Sequence, residues 1–292
     1  RPGDTVRIGA CRIVGSFTVP AGVTLAGRGP EQSTVETTAP QPALRLTGGT
    51  PATSAVDLAV QSAGRSGLLV RDGAAVVLER LHVRATRHMA VGIEDVDSVV
   101  LRDVEVSGTV VADNANFVVP SGSPPAVDAE QWPTHGLVVV DVPDLTMERV
   151  SVSGFAGLGV LLVNDGATWS GGGAAANLGT GLMIHAGTAS LDGLDLSRTL
   201  QGVLLIPAYG AVFAAGADVE STGLQVSDGD AYGLLHDHAT ARHADLVARR
   251  NDDAAVWIQF SDGVELAGAG MELVANRFGG VVAVQSANVT VA

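Results

Sequence analysis

One short phrase recurs along the whole chain: a glycine followed by alternating apolar residues. Clear copies are Gly67-Leu68-Leu69-Val70, Gly136-Leu137-Val138-Val139, Gly159-Val160-Leu161-Leu162 and Gly181-Leu182-Met183-Ile184. Further copies begin at Gly92, Gly202 and Gly233, and degenerate ones begin at Ala255 and Gly280. Most copies recur at a short and nearly constant interval, as from Gly159 to Gly181. A period of this length predicts a solenoid, because one such repeat cannot bury its apolar face alone and must stack on its neighbours.

A second phrase, with apolar residues at positions 1, 4 and 6, predicts what each repeat contains. It occurs at Leu78–Val83, Leu101–Val106, Met147–Val152 and Leu191–Leu196. Its apolar-polar-apolar ending is typical of a strand, and the polar pair before it of a bend. No segment has a helical period, and the signature of leucine-rich repeats is missing. We therefore predict an all-β chain in which two or three short strands per coil pair with the next coil in parallel.

The chain is expected to form a single domain, 1–292, with two inserted loops. Residues 112–134 contain Ser121-Gly122-Ser123-Pro124-Pro125, which is typical of a loop, and a shorter excursion is expected over 207–230. The first insertion falls in the long interval between the glycine copies at Gly92 and Gly136. This interval is either one period plus an insertion or two periods with one degraded copy.

The first residues carry a resemblance to a known family. Gly3-Asp4-Thr5-Val6-Arg7-Ile8 and the run from Val19 to Gly29 resemble the first coils of right-handed parallel β-helix proteins of the pectate-lyase-like superfamily. The resemblance implies a right-handed parallel β-helix (solenoid) with coils of about 21–25 residues, a period typical of repeat architectures. It leaves activity open, since the superfamily includes lyases, hydrolases, epimerases, adhesins and tail spikes. It also implies a bacterial protein that is extracellular, periplasmic or on the cell surface.

Composition excludes several classes of function. The chain has 31 acidic and 17 basic residues, a formal charge of −14, which disfavours nucleic acid and anionic membrane surfaces as partners. A single cysteine excludes an internal disulfide framework. Apolar runs are too short for a transmembrane segment. A chain that is 46% hydrophobic can bury a core, so disorder is excluded as well.

Alternation assigns the two faces of the strand that follows each glycine. One face is uniformly aliphatic and should line the solenoid interior. The opposite face is also apolar, apart from Glu94 near its start. Its main residues are Val138, Leu161, Met183, Leu204, Leu235 and Trp257. Either a loop covers this stripe, or it is a groove for a protein partner, a second copy of the chain, a glycan or an apolar ligand.

Our leading hypothesis is a secreted or surface-exposed scaffold that binds a partner or ligand along this stripe, with Trp257 as an anchor. The alternative is a carbohydrate-active enzyme, a polysaccharide lyase or epimerase, working in the same groove. Three residues each precede the glycine of their coil and should share one polar edge of the groove, with Trp132 above it. They are His135, Gln201 and Tyr232.

Candidate chemistry lies at the ends of these strands. His185 and Asp237 are weak catalytic candidates, and two coils separate them by about 10 Å, too far for a direct dyad. A stacked set of oxygen donors could hold Ca²⁺, although turn formation explains these residues more simply. The set is Glu94, Asp95, Asp141, Asn164 and Asp165. Superfamily lyases often use calcium, but no cofactor is required by the sequence. His236 falls at an inward position, which predicts a buried, hydrogen-bonded histidine.

Overall fold

The computed structural model describes residues 1–64, 66–85, 87–109, 133–177, 179–198 and 212–292, with only the backbone at 133, 134 and 212–215. The described residues contain β-strands and turns but no helix. The paired strands run parallel, as between β1 (Thr5–Arg7) and β4 (Thr24–Ala26). The chain is a parallel β-solenoid of about 11 turns, which confirms the predicted fold class.

The strands stack into three parallel ladders, which we number in the order in which a full coil visits them. Ladder 1 is formed by β3 (Phe17–Val19), β6 (Leu44–Thr47), the first parts of β8 (Leu68–Ala85), β9 (His88–Ser107), β12 (Leu158–Ala175) and β13 (Leu182–Asp192), and by β10 (Pro133–Val140), β14 (Val212–Ala215), β17 (Leu234–Asp237), β20 (Ala254–Gln259) and β23 (Gly279–Val284).

Ladders 2 and 3 complete each coil. Ladder 2 contains β1, β4, the first parts of β7 (Thr53–Ser62) and β11 (Asp144–Ser153), later parts of β8, β9, β12 and β13, and β15 (Asp218–Thr222), β18 (Thr240–Ala244), β21 (Val264–Ala267) and β24 (Thr290–Val291). Ladder 3 contains β2 (Arg12–Val14), β5 (Thr34–Thr37), the ends of β7, β8, β9, β11 and β12, and β16 (Gln225–Ser227), β19 (Val247–Arg249) and β22 (Glu272–Val274).

The core fills the space between the ladders. Inward residues of ladder 1 stack in register from coil to coil, as Leu162 does on Ile184, and both are 1% exposed. The predicted inside and outside faces are thus confirmed on these coils. Leu205, at the expected next position, lies outside the described residues. The largest buried side chain is Trp169, whose Nε1 donates to the Gly171 carbonyl oxygen at 3.1 Å.

The recurring glycine has a steric cause. A Cβ on Gly136 would lie 2.5 Å from the carbonyl oxygen of Gly159, and a Cβ on Gly159 would lie 2.6 Å from that of Gly181. On Gly233 it would lie 2.5 Å from the carbonyl oxygen of Ala255. Successive backbones therefore approach too closely at this corner for most side chains, and the glycine column marks the entry to ladder 1.

The corner between ladders 2 and 3 carries alternating charges. Asp57, Arg80, Asp103 and Arg149 occupy equivalent left-handed positions on four successive coils, with φ between 49° and 57°. Arg80 binds Asp57 at 2.6 and 3.0 Å, and Arg149 binds Asp103 at 2.6 and 2.9 Å. These two-pronged contacts lower the pKa of both aspartates and hold neighbouring coils in register.

The structure decides one alternative about the repeat that the sequence left open, and it corrects one expectation. β10 pairs directly with β9, so the long interval is one period plus an insertion, and the residues 110–132 lie outside the described part of the chain. The neighbour of β13 in ladder 1 is β14, not the phrase at Gly202. The predicted loop 207–230 therefore contains β14, β15 and β16.

Candidate functional site

The outer face of ladder 1 carries the predicted apolar stripe. Val138 pairs with Leu161 and Leu161 with Met183, while farther along Leu235 pairs with Trp257. Phe213, and not Leu204, links Met183 to Leu235, and Leu204 lies outside the described residues. At the start of the stripe, Gly92 stands between Leu69 and Val138. The outward column therefore runs apolar from Leu69 to Val282.

Glu94 does not belong to this column. It pairs with Arg71 and Val140, one outward position farther along the strand, and its carboxylate lies 2.8 Å from the Arg71 guanidinium. The error arose because the sequence phrase at Gly92 is shifted by two positions from its structural equivalents. Ala90 is the residue that matches Gly136.

The stripe is not an open apolar surface. Val138, Leu161, Met183 and Trp257 are half-buried, and Leu235 is only 1% exposed. None of these side chains is among the exposed large hydrophobic residues of the described chain. Each half-buried side chain keeps one accessible side.

Two aromatic rings lie against each other near the C-terminal end of the stripe. The rings of Tyr232 and Trp257 lie 5.0 Å apart at 42°. The indole Nε1 of Trp257 donates to Gln259 Oε1 at 3.0 Å, which fixes the orientation of both side chains. This pair gives a rigid apolar platform with a polar rim.

A polar column runs beside the aromatic end. His185, Ala215, Asp237 and Gln259 follow one another in register on β13, β14, β17 and β20. His185 and Asp237 are thus two strands apart, about 10 Å, and do not form a dyad. Asp237 Oδ1 instead lies 2.6 Å from His238 Nδ1.

The next corner position extends this polar edge. The imidazole of His238 stacks on the ring of Phe260 at 5.3 Å. Both residues take left-handed φ values, 53° and 49°, which turn their side chains away from the strand. The exposed imidazole and the carboxylate of Asp237 can exchange hydrogen bonds with a ligand that lies in the groove.

The predicted calcium donors occupy turn positions. Asp95, Asp141 and Asn164 follow one another at the corner after ladder 1, each with φ 56°. Asn164 Nδ2 donates to Asp141 Oδ1 at 3.1 Å, so these two side chains hydrogen-bond to each other within the column. Among the described residues, no group of three or more His, Cys, Asp or Glu side chains is placed to hold a metal ion. Left-handed turn geometry accounts for this column.

Asp165, the last of the calcium candidates, is buried, and its carboxylate accepts hydrogen bonds from the backbone. Its Oδ1 accepts from Val142 N at 2.8 Å and its Oδ2 from Val163 N at 2.9 Å. Burial raises the pKa of Asp165 to about 6, while the two backbone donors act in the opposite direction. Both oxygens are occupied, so this carboxylate holds two coils together.

Of the four residues predicted at or above the polar edge, the structure describes two. His135 and Tyr232 each stand two positions before the inward residue that opens their strand, on coils about 19 Å apart. His135 Nδ1 accepts from Leu158 N at 3.3 Å, and burial, with His88 nearby, lowers the pKa of His135 to about 4. Trp132 and Gln201 lie outside the described residues.

Sequence reasoning missed Phe213, His238 and Phe260. Phe213 was hidden because Gly202 follows Gly181 at a regular interval and attracted the assignment. Counting back from Gly233 by the separation of Gly159 and Gly181 reaches position 211, next to the true strand. The contact between His238 and Phe260 carries no sequence signal, because it joins corner positions on adjacent coils.

No helix in the described residues is long and apolar enough to cross a membrane. No protein-family model matches the chain, and no curated protein matches it in sequence.

Solved structures similar to the chain are parallel β-helix proteins. The A-module of the mannuronan C-5 epimerase AlgE6 of Azotobacter vinelandii is similar with a TM-score of 0.51 and 15% identity, over 99% of this chain and 90% of that one. The enzymatically active domain of tailspike protein 2 of bacteriophage CBA120 has a TM-score of 0.55 and 11% identity, over 94% and 42%. The catalytic unit of a GH87 α-1,3-glucanase of Streptomyces thermodiastaticus has a TM-score of 0.50 and 14% identity, over 98% and 63%. These likenesses agree with the parallel β-helix fold of the chain.

Proposed function

We propose that this chain is a glycan-binding β-helix module that holds an uncharged sugar chain on the outer face of ladder 1. The proposal rests on two columns of side chains that lie side by side at the C-terminal coils. An apolar column ends in Trp257, with Tyr232 against it, and a polar column of His185, Asp237 and Gln259 lies directly beside it.

This arrangement matches the chemistry of a sugar chain. A pyranose presents an apolar C–H face and a rim of hydroxyl groups. The half-buried Trp257 ring offers a flat contact for the first, and the Gln259 amide and Asp237 carboxylate offer hydrogen bonds for the second. Because the coils stack along one axis, successive sugar units would meet equivalent positions on successive strands.

Charge selects among sugar chains. The protein carries a formal charge of −14, and Asp237 lies in the proposed contact surface. A polyuronate would approach against this field, whereas a neutral glycan would not. A neutral sugar chain is therefore the ligand that we propose.

The enzymatic alternative has less support. Glycoside hydrolysis needs two carboxyl groups about 5–9.5 Å apart. In the polar column the next carboxylate from Asp237 is Glu94, five strands away, about 24 Å. Lyase and epimerase chemistry on polyuronates conflicts with the charge argument. That similar folds carry an epimerase, a glucanase and a phage tailspike supports a glycan as the ligand class and a location outside the cytoplasm.

The test is a glycan array followed by calorimetry on the neutral oligosaccharides that bind best. We expect Trp257→Ala to weaken binding by about 30-fold, as loss of a central aromatic anchor does. Phe17→Ala is the matched control, since Phe17 is an exposed aromatic at the opposite end of ladder 1. Circular dichroism checks that both variants fold. Absence of binding to every neutral glycan, or equal weakening by the two substitutions, would overturn the proposal.

A further inference from the structure

Two histidines face each other inside the solenoid. His236 on β17 and His243 on β18 are 0% and 2% exposed, with ring centroids 5.0 Å apart. Their Nε2 atoms lie 3.1 Å from each other, and His243 Nδ1 lies 2.6 Å from Ser221 Oγ. His236 Nδ1 is buried and has no hydrogen-bond partner. The core around the pair is otherwise apolar, with Ile258 and Leu266 on the next coil.

Burial of this pair favours neutral imidazoles. A contact between two Nε2 atoms needs one proton, donated by one ring and accepted by the other. A second proton on these atoms would set two N–H groups against each other at 3.1 Å. A cation formed at His236 Nδ1 instead would be buried without a partner, which is costly. A proton taken up at His243 Nδ1 could be donated to Ser221 Oγ, but the cation would still be buried with no carboxylate among the described residues in register with the pair. Proton uptake at any of these nitrogens therefore works against the closed coil.

The pair stands directly behind the proposed binding face. On β17, Leu235 and Asp237 point outward on either side of His236, and Leu235 pairs with Trp257. On β18, Arg242 is exposed and lies near the exposed carboxylates of Glu220 and Glu265, at 3.7 and 3.8 Å, on the outer surface of ladder 2. Among the described residues in register with the pair, Ser221, Ile258 and Leu266 carry no charge that could compensate a proton.

We propose that the His236–His243 pair is an acid-sensitive latch. Proton uptake opens β17 and β18, and this opening disrupts the outer face of ladder 1 at its C-terminal coils. Burial lowers the pKa of His236 to about 4, and burial with its partner lowers that of His243 well below the ordinary range. The open state therefore binds more protons than the closed one, and opening becomes easier as the pH falls below about 6.5. Release of a glycan at low pH rests on the proposed function, whereas the opening itself does not.

Hydrogen exchange on the whole chain tests the latch without any ligand. Exchange is followed by mass spectrometry from about pH 7.5 to about pH 5, with the intrinsic rates divided out. Over this range, one histidine with a pKa near 4 closed and near 6.5 open should raise the opening equilibrium about 30-fold. We expect a rise of at least this size in peptides covering 234–244, and none in peptides covering 44–62, which contain no histidine.

Variants without titratable groups at this site should lose the effect. The triple variant Ser221→Ala, His236→Leu and His243→Leu removes all three polar side chains, and His236→Gln alone serves if that variant does not fold. His82→Gln is the control, because His82 is partly exposed on ladder 3 and lies near the carboxylates of Glu31 and Glu105. We expect the local pH dependence to vanish in the triple variant, to shrink in His236→Gln and to persist in the control.

The outcomes separate the latch from the proposed function. Equal pH dependence in both regions of the wild-type chain, or undiminished dependence in the variants, would overturn the latch. Local opening in a chain that binds no glycan would support the latch and remove the function. If glycan binding is lost at low pH with no change in hydrogen exchange, the proposed function is supported and the latch is overturned.

Discussion

At the scale of single residues, Asp165 shows how the coils use a buried carboxylate. Both oxygens accept backbone N–H groups, from Val142 and Val163. An asparagine would keep one acceptor and turn an N–H toward the other donor. We expect Asp165→Asn to lower the free energy of unfolding by about 1–3 kcal/mol, as an unpaired buried donor does. Urea denaturation at neutral pH measures it.

Asp141→Asn is the control for this substitution, because the Asp141 carboxylate is exposed and accepts from Asn164 Nδ2, not from the backbone. Its loss should cost less than about 0.5 kcal/mol. The pKa of Asp165 is raised to about 6, so the closed fold takes up a proton more readily than the open chain as the pH falls through 6. The wild-type chain should therefore gain stability relative to Asp165→Asn below this pH. Equal costs for the two substitutions would contradict the structural role of Asp165.

Much of the candidate site follows from alternation alone. Met183, Leu235 and Trp257 occupy the predicted outward positions because a strand places every second side chain on one face. The half-burial of the stripe could not be predicted, since it depends on neighbouring coils and not on period. The stacking of His238 on Phe260 also needs the register of two left-handed corners, which no local pattern encodes.

At the scale of the repeated element, the glycine column can be tested with a matched pair. A Cβ on Gly159 would meet Gly181 O and Asn177 Nδ2, each at 2.6 Å. Gly280 stands in the same column, yet its nearest neighbour would be Leu273 at 3.6 Å. We expect Gly159→Ala to cost about 1–3 kcal/mol by overpacking and Gly280→Ala less than about 0.5 kcal/mol. Chemical denaturation compares them, and similar costs would show that the column is not sterically required.

At the scale of the whole molecule, the period was sufficient to predict the solenoid but not to index every coil. Each coil is defined by the pairing of its strands with the neighbouring coils. The number of residues between successive strands can therefore vary at a small cost in free energy. The sequence intervals before β10 and before β14 both exceed the period, and both strands belong to ladder 1. The regular spacing to Gly202 therefore misled the assignment, while the coils from Gly136 to Gly181 followed the period closely.

The most direct measurement of the central claim is a methionine-methyl NMR titration with the neutral hexasaccharide that the array selects. The chain has four methionines, of which Met183 lies in the stripe and Met147 is fully buried inside the solenoid. We expect the Met183 signal to shift with a saturating curve that matches calorimetry, and the Met147 signal to stay in place. Hexagalacturonate, the anionic comparator, should move neither. Binding by calorimetry with an unmoved Met183 signal, or an equal response to hexagalacturonate, would contradict a neutral glycan on the outer face of ladder 1.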